Sequence, residues 1–223
     1  MTTLTFLGHS AFLIEGGVSR VVVDPFLTGN PAAKTIAADI TCTHVALTHG
    51  HEDHVGDTIA IAKANDATIV AAYEICNWAA EQGHENVSPG NPGGRVPLHG
   101  DDWIAFTQAY HSSSFEGRYM GEPCGLVLHI GGVTIYHAGD TDLFSDMQLI
   151  GELYAPDMAL LPIGDRFTMG PDLASHAADW IGAPKVVPMH YNTWPLIEVD
   201  VADFKPTFAE VCVMAAGDSM ECV

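Results

Sequence analysis

The sequence predicts an α/β fold in which two mixed sheets pack face to face with helices outside. Three observations lead there. Short apolar strands first follow one another with only turns between them, as in a meander. Later strands alternate with helices, the arrangement that parallel connections need. Strand after strand also ends in a residue able to hold a metal or a proton, namely Asp24, His49, His111, Asp140 and His190.

The elements follow in order. Leu4 to Leu7 and Ala11 to Glu15 read as strands separated by the turn Gly8-His9-Ser10, and Arg20 to Val23 reads as a third after Gly16-Gly17. That strand stops at Asp24-Pro25, because proline cannot continue a central strand. Thr43 to Leu47 is an apolar strand, and Val55 to Asn65 carries a helix-like pattern through Ile59, Ile61 and Ala62. Ala67 to Ala72 is a strand, and Tyr73 to Gln82 a helix closed by Gly83. Ser88 to Gly94 is a turn-rich loop without a composition shift after it, so it lies within one domain spanning 1–223. Trp103 to Ala109 alternates as a strand, and Gly125 to Ile130 with Val133 to Tyr136 forms a hairpin about Gly131-Gly132. Leu143 to Tyr154 suits a helix, Met158 to Pro162 a strand, Pro171 to Ile181 a helix with proline at its start, and Lys185 to Met189 a strand. Val199 to Glu210 looks helical despite Pro206, and Val211 to Ala215 reads as the last strand.

Composition narrows the function classes. The chain has 223 residues, enough for a well-buried core without disulfide staples. Its net charge of -20 comes from 28 acidic against only 8 basic side chains, so the acidity is a shortage of cations. Phosphate binding draws on Lys and Arg, so nucleic acid is disfavoured as a partner, and anionic membrane with it. No apolar run approaches the roughly 20 residues that span a bilayer, and the N-terminus lacks a basic and apolar leader pattern. The five cysteines form no CxxC pair and are expected as reduced thiols of a cytoplasmic protein.

The chemistry concentrates in Thr48-His49-Gly50-His51-Glu52-Asp53-His54, on a loop that leaves a strand and enters a helix. His49 and His51 are two apart, so an extended segment points both rings the same way. Asp53 and His54 follow where the chain turns. One loop then offers two ligands to one metal and two to a neighbour. Imidazoles and carboxylates in this density suit Zn²⁺, with Mn²⁺ or Fe²⁺ also accommodated.

This set, continued by His111, Asp140 and His190, resembles the metallo-β-lactamase superfamily in ligand type, order and spacing, over essentially the whole chain. Gly8-His9-Ser10, Asp24-Pro25-Phe26, Phe167-Thr168-Met169-Gly170-Pro171 and His190-Tyr191-Asn192-Thr193 are similar to a branch of metal-dependent hydrolases related to ascorbate-6-phosphate lactonase. The resemblance implies an αββα sandwich and two divalent metal ions. By motif, the first takes His49, His51 and His111, the second Asp53, His54 and His190, and Asp140 bridges them. Asp53 and Asp140 are the candidate catalytic carboxylates. Flavin-linked di-iron members carry Glu where this chain has His51, which argues against redox chemistry, and the presence of His54 argues for a full two-metal site.

The expected function is a two-metal hydrolase using a metal-bridged hydroxide on a small ester, lactone or phosphodiester. The alternatives are a nuclease-type phosphodiesterase, opposed by the net charge, and a non-catalytic metal-binding protein, which would be expected to have lost a ligand. The expected partner is a small-molecule substrate, and a homo-oligomer is compatible with the sequence. Candidate residues outside the ligand set are His9 as pocket lining, Asp24 as a hydrogen-bond partner that orients a ligand imidazole, Tyr191 and Asn192 beside a ligand, and Arg166 as a holder of an anionic group. Trp194, after the His190 loop, is placed to reach the pocket. The remaining histidines, such as His44, His84 and His137, match no ligand position.

Overall fold

The structure, a computed structural model, describes residues 1–222. The first half begins with β1 (Thr3–Gly8), β2 (Ala11–Gly16) and β3 (Ser19–Val23), followed by β4 (His44–Ala46), α1 (Glu52–Val55), α2 (Thr58–Asn65), β5 (Thr68–Ala72), α3 (Tyr73–Glu81) and β6 (Val87–Gly90). Then come β7 (Arg95–Pro97), β8 (Trp103–Gln108), a small hairpin of β9 (Ser114–Phe115) and β10 (Arg118–Tyr119), β11 (Cys124–Ile130) and β12 (Val133–His137). The chain continues with α4 (Met147–Tyr154), β13 (Met158–Pro162), α5 (Pro171–Ile181), β14 (Lys185–Met189), β15 (Glu210–Val211) and β16 (Ser219–Glu221).

Two mixed sheets result, in the orders β16-β1-β2-β3-β4-β5-β6 and β15-β14-β13-β12-β11-β8-β7. Period-2 alternation explains how they pack. Leu4, Phe6, Phe12, Ile14, Val21 and Val23 face Leu126, Leu128, Ile130, Leu160 and Val187 in one core between the sheets. The intervening Leu7, Leu13, Val22 and Val45 turn outward under α2 and α3, joined there by Ile61, Ile75 and Trp78. Val127, Ala159, Leu161 and Val186 turn outward on the other sheet under α4 and α5. Both faces of both sheets are therefore apolar, and each fully buried Leu, Ile or Phe contributes roughly 1.5–3 kcal/mol. The order helices–sheet–sheet–helices is the predicted sandwich.

Several local expectations are corrected. The helix over 55–65 is broken in two at Gly56, whose φ of 37° and close approach to the Pro25–Phe26 backbone exclude a side chain. Asp57 then caps the Leu27–Thr28 loop through both backbone amides. The helix over 143–154 begins only at Met147. Part of the turn-rich segment is β6, where Pro89 is tolerated because the strand lies at the sheet edge. The helix over 199–210 does not form; a single 3-10 turn, Val201–Asp203, stands there. Side chains of α5 satisfy the backbone instead, since Ser175 Oγ accepts from Lys205 N and Asp179 Oδ1 from Thr207 N. Pro206 lies between those two contacts and has no N–H to give a helix. The strand over 211–215 shrinks to Glu210–Val211, and β16 crosses back to pair with β1.

Sheet direction positions the site. β1, β3 and β4 run the same way, as do β8, β12 and β14, so their C-terminal ends bring His9, Asp24, His49, His111, Asp140 and His190 to one edge of the sandwich. After β13 the chain passes so close to the His190 loop that a Cβ on Gly164 would lie 2.1 Å from His190 O. Gly164→Ala is expected to force that loop aside at about 1–3 kcal/mol, the usual range for overpacking, and lower the melting temperature by several degrees. A thermal melt with parallel metal analysis checks this; an unchanged melt and unchanged metal content would refute it.

Candidate metal centre

His49 and His51 leave β4 on an extended segment, and His51 precedes α1 with φ -83° and ψ 155°. The predicted common direction of the two rings holds, since His49 Nε2 and His51 Nδ1 are 2.9 Å apart. Asp53 and His54 sit in the single turn of α1. Ligand atoms of His49, His51 and His111 lie within 4.8 Å of one another, as do those of His49, His54 and Asp140, and those of His9, Asp53, His54 and His190. Asp140 Oδ2 is 3.5 Å from His111 Nε2, 3.0 Å from His190 Nε2 and 4.0 Å from His49 Nε2, while Oδ1 is 3.3 Å from His54 Nε2. The structure thus brings together all seven sequence-predicted ligands.

Asp24 explains how the rings are oriented. Its carboxylate is fully buried and accepts from Thr48 N at 2.9 Å, Thr48 Oγ1 at 2.6 Å and His54 Nδ1 at 2.7 Å. Thr48 donates its hydroxyl proton to Asp24, so the same oxygen accepts from His49 Nδ1 at 3.0 Å. Both imidazoles therefore carry a proton on Nδ1 and turn Nε2 into the cluster, one in each predicted ligand group. The sequence expectation that Asp24 orients a ligand imidazole understates its reach. A further oxygen fixes the loop, as Gly50 N donates to Ser113 Oγ at 3.1 Å.

Mutual pairing of carboxylates and imidazoles dominates the electrostatics of the cluster. Burial pulls His190 down, but Asp140 and Asp53 outweigh it and lift the imidazole to about 9. Burial likewise opposes the charged form of His54, yet Asp140 and Asp24 hold it well above its ordinary value. Burial works to raise Asp140 and Asp53, and the facing histidines nevertheless keep both carboxyls far below the usual range. His49 is driven well below its ordinary value by burial and by His54, which leaves it neutral as a ligand must be. His54 Nε2 and Asp140 Oδ1 are buried without a hydrogen-bond partner, although they face each other across 3.3 Å. Unsatisfied polar atoms of this kind in a cluster of imidazoles and carboxylates fit divalent metal ions.

The remaining candidates are distributed differently. His9 reaches the cluster, with Nε2 3.1 Å from Asp53 Oδ2, and Trp194 packs on it at 4.8 Å between ring centroids. Tyr191 packs into the outer core beneath α5, and Asn192 Oδ1 accepts from Val199 N, so neither makes a polar contact with the seven ligands. Arg166 is exposed and lies over the Phe167 ring, 5.7 Å from its centroid. Its loop is tied to the centre from both sides, by Met169 N on Thr141 O at 3.1 Å and Ile163 N on Met189 O at 3.0 Å. Sequence reasoning missed the β9–β10 hairpin as part of the mouth. A cavity of about 430 Å³ beside the centre is lined by His51, Glu52, Asp53, Ser114, Phe115 and Glu116. The glycine between Glu116 and Arg118 is the one signal in the sequence for that turn. His84 and His137 hold backbone carbonyls of Ala67 and Ser10 and stand outside the ligand set, as expected.

This architecture, with ligands at one sheet edge of a two-sheet sandwich, defines a metal-binding fold of the β-lactamase type. The β-lactamase superfamily domain profile matches residues 3–190. A UPF0173 metal-dependent hydrolase of Pelotomaculum thermopropionicum is 48% identical over 228 residues, covering 98% of this chain and 99% of that protein. Another from Thermococcus kodakarensis is 45% identical over 225 residues, covering 99% and 100%. Among solved structures, the metallo hydrolase Igni18 of Ignicoccus hospitalis superposes with a TM-score of 0.89 at 38% identity, covering 98% of this chain and 97% of that one. The chain belongs to the β-lactamase superfamily and, within it, to the UPF0173 metal-dependent hydrolases.

Removing Asp24 leaves His54 Nδ1 and the Thr48 donors buried without an acceptor. Asp24→Ala is expected to cost about 3–5 kcal/mol, the range for breaking a buried pair, and to weaken metal binding about 10–100-fold. Urea unfolding and metal titration measure the two effects. Stability within about 0.5 kcal/mol of the parent, the scatter of neutral surface changes, would show that Asp24 does not hold the loop.

Proposed function

We propose that the chain hydrolyses a small ester, lactone or phosphodiester at a centre of two divalent cations, with zinc the best match and manganese or iron accommodated by the same donors. The observation that carries this reading is the position of Asp140 between the two predicted ligand groups, with Oδ2 facing His111 and His49 of the first and His190 of the second, and Oδ1 facing His54 of the second. Two such ions, when bound, supply an acidified water as nucleophile and Lewis acidity toward the substrate oxygen. The protein's part is to hold the donors. Asp140 offsets the repulsion between neighbouring cations, Asp53 adds a second carboxylate, and Asp24 holds Nδ1 of His54 directly, and of His49 through Thr48, so that Nε2 is the nitrogen turned toward the metals.

The mouth bears on the rival readings. Glu52 and Glu116 line it, which disfavours a nucleic-acid backbone on the same ground as the net charge. An open cavity reaching His51 and Asp53 is of use to an enzyme and of none to a closed structural site. Among the described residues no helix is long and apolar enough to cross a membrane, and we take a single domain acting in the cytoplasm on a small molecule as the working picture.

Elemental analysis after reconstitution with Zn²⁺ or Mn²⁺ is expected to find about two ions per chain. Hydrolysis of a panel of lactones, thioesters and phosphodiesters should disappear with chelator and return with metal. Less than one ion per chain would rule out a binuclear centre, and a flat panel with metal present would favour the non-catalytic alternative. Asp140→Ala is expected to lose more metal and activity than His111→Ala, because His111 serves one ion. Full retention of both ions in Asp140→Ala would refute the bridging role.

Arg166 has no carboxylate partner among the described residues, although acids outnumber cations 28 to 8. We assign it to an anionic group of the substrate. Since the side chain is exposed, the contact is worth at most about 1 kcal/mol. Arg166→Ala should therefore raise KM for an anionic substrate about fivefold, with metal content unchanged. Equal effects on a neutral substrate of the same class would show that Arg166 supports the loop instead.

A further inference from the structure

We infer that His9 is a positioning residue of the second metal, holding the Asp53 carboxylate and the His190 ring together without ligating the ion itself. The inference rests on the two-metal reading above.

The chain goes out of its way to put His9 there. The β1–β2 register shifts between Phe6 and Gly8, Gly8 has φ 113°, and His9 has φ 60°, in the left-handed region that residues with a side chain seldom adopt. The residue is buried, and its contacts join both halves of the fold. Its backbone oxygen accepts from His190 N at 2.8 Å. Its Nε2 is 3.1 Å from Asp53 Oδ2, and its Nδ1 is 2.8 Å from Thr193 Oγ1. An ionised carboxylate only accepts, so Nε2 carries the hydrogen and Nδ1 takes the proton of the Thr193 hydroxyl.

Two contrasts separate positioning from ligation. His49 and His54 each have Nδ1 bonded outside the cluster and Nε2 free to bind a metal. His9 has no nitrogen free, although its Nε2 lies close enough to Asp53, His54 and His190 for ligation to be the geometric alternative. The second contrast concerns His190. Its Nδ1 is buried without a hydrogen-bond partner, so it lacks the outer bond that orients the other two rings. The His9 ring lies against it instead, with centroids 4.1 Å apart, and Trp194 packs on His9 in turn. One side chain thus does for Asp53 by a hydrogen bond, and for His190 by contact, what Asp24 does for His49 and His54.

The test is metal titration of the full-length, chelator-treated protein with Zn²⁺, and with Co²⁺ followed by its visible spectrum. His9→Ala is expected to bind the second ion 10–100-fold more weakly, while the first ion is unaffected, two ions still bind at saturation, and the Co²⁺ bands keep their positions. His9→Gln retains an amide donor for Asp53 and should recover part of the loss. Thr193→Val frees Nδ1 without touching Asp53 and should weaken the second ion in the same direction by a smaller factor. If His9→Ala fails to fold, by circular dichroism, the other two variants decide. Unchanged second-ion affinity in the folded variants would overturn the inference. So would a second ion that never binds to His9→Gln, with shifted Co²⁺ bands, since that marks a direct ligand. A parent protein that never takes a second ion would remove the two-metal reading, and this inference with it.

Discussion

The buried carboxylate of Asp24 is the contact on which the centre depends. It lies at the end of β3 beside the end of β4, fully removed from water, and takes three hydrogen bonds there. Leaving such a charge in the interior without donors would cost several kcal/mol. Every donor it takes belongs to the ligand loop: one fixes the backbone at Thr48, one passes through the Thr48 hydroxyl to His49, and one reaches His54. The same three bonds that make Asp24 tolerable therefore determine the tautomers of two ligand rings. Parallel pairing of β3 with β4 is what puts the two strand ends side by side.

Backbone strain collects in the same place. His9, Asp24 and His190 all have positive φ, at 60°, 44° and 53°, and each directly follows a strand. A residue held so costs on the order of 1–3 kcal/mol, and persists only where its surroundings over-determine it. Here the apolar core between the sheets supplies that constraint. Leu4 and Phe6 anchor β1, Val21 and Val23 anchor β3, and Val187 and Met189 anchor β14, each within one or a few residues of the strained position. Rigid strands deliver the chain to the edge, and the sharp turn that follows aims the side chain across the seam instead of along it.

How much was legible in the sequence follows from the range of each interaction. The strands were readable because alternation is local, and the His49–His54 loop because its spacing alone restricts where the rings point. His111, Asp140 and His190 lie far apart along the chain; their places at strand ends singled them out, and the resemblance to a known ligand order joined them into one set. The reach of Asp24 to His54 and of His9 to Asp53 was hidden for the same reason, since each depends on which strand ends become neighbours. The false helix over 199–210 failed in the opposite direction. Its apolar spacing was real, but Ser175 and Asp179 on α5 offered the backbone partners that a helix containing Pro206 could not. Tertiary contacts overrode propensity there, and the helix is also split at Gly56, where the chain packs against the Pro25–Phe26 backbone too closely for a side chain.

Charge sets the last constraint, on what can approach. The net charge of -20 disfavours the approach of anions, and Glu52 and Glu116 repeat that sign at the mouth. Salt screens such a field beyond roughly 8 Å at physiological ionic strength, so its effect is felt mainly in the final approach. Two divalent cations within the centre would reverse the sign there, over a distance too short to attract a long polyanion against the rim. On that proposed reading, a small molecule with one anionic group is the case that would reconcile the two regions. It presents little charge to the surface, and its charge can meet Arg166, whose loop is pinned to Thr141 and to the β14 end beside His190. Neutral esters and lactones escape the conflict altogether. On the proposed two-metal reading, the contrast between a cationic centre and an acidic rim would select for size as well as for charge.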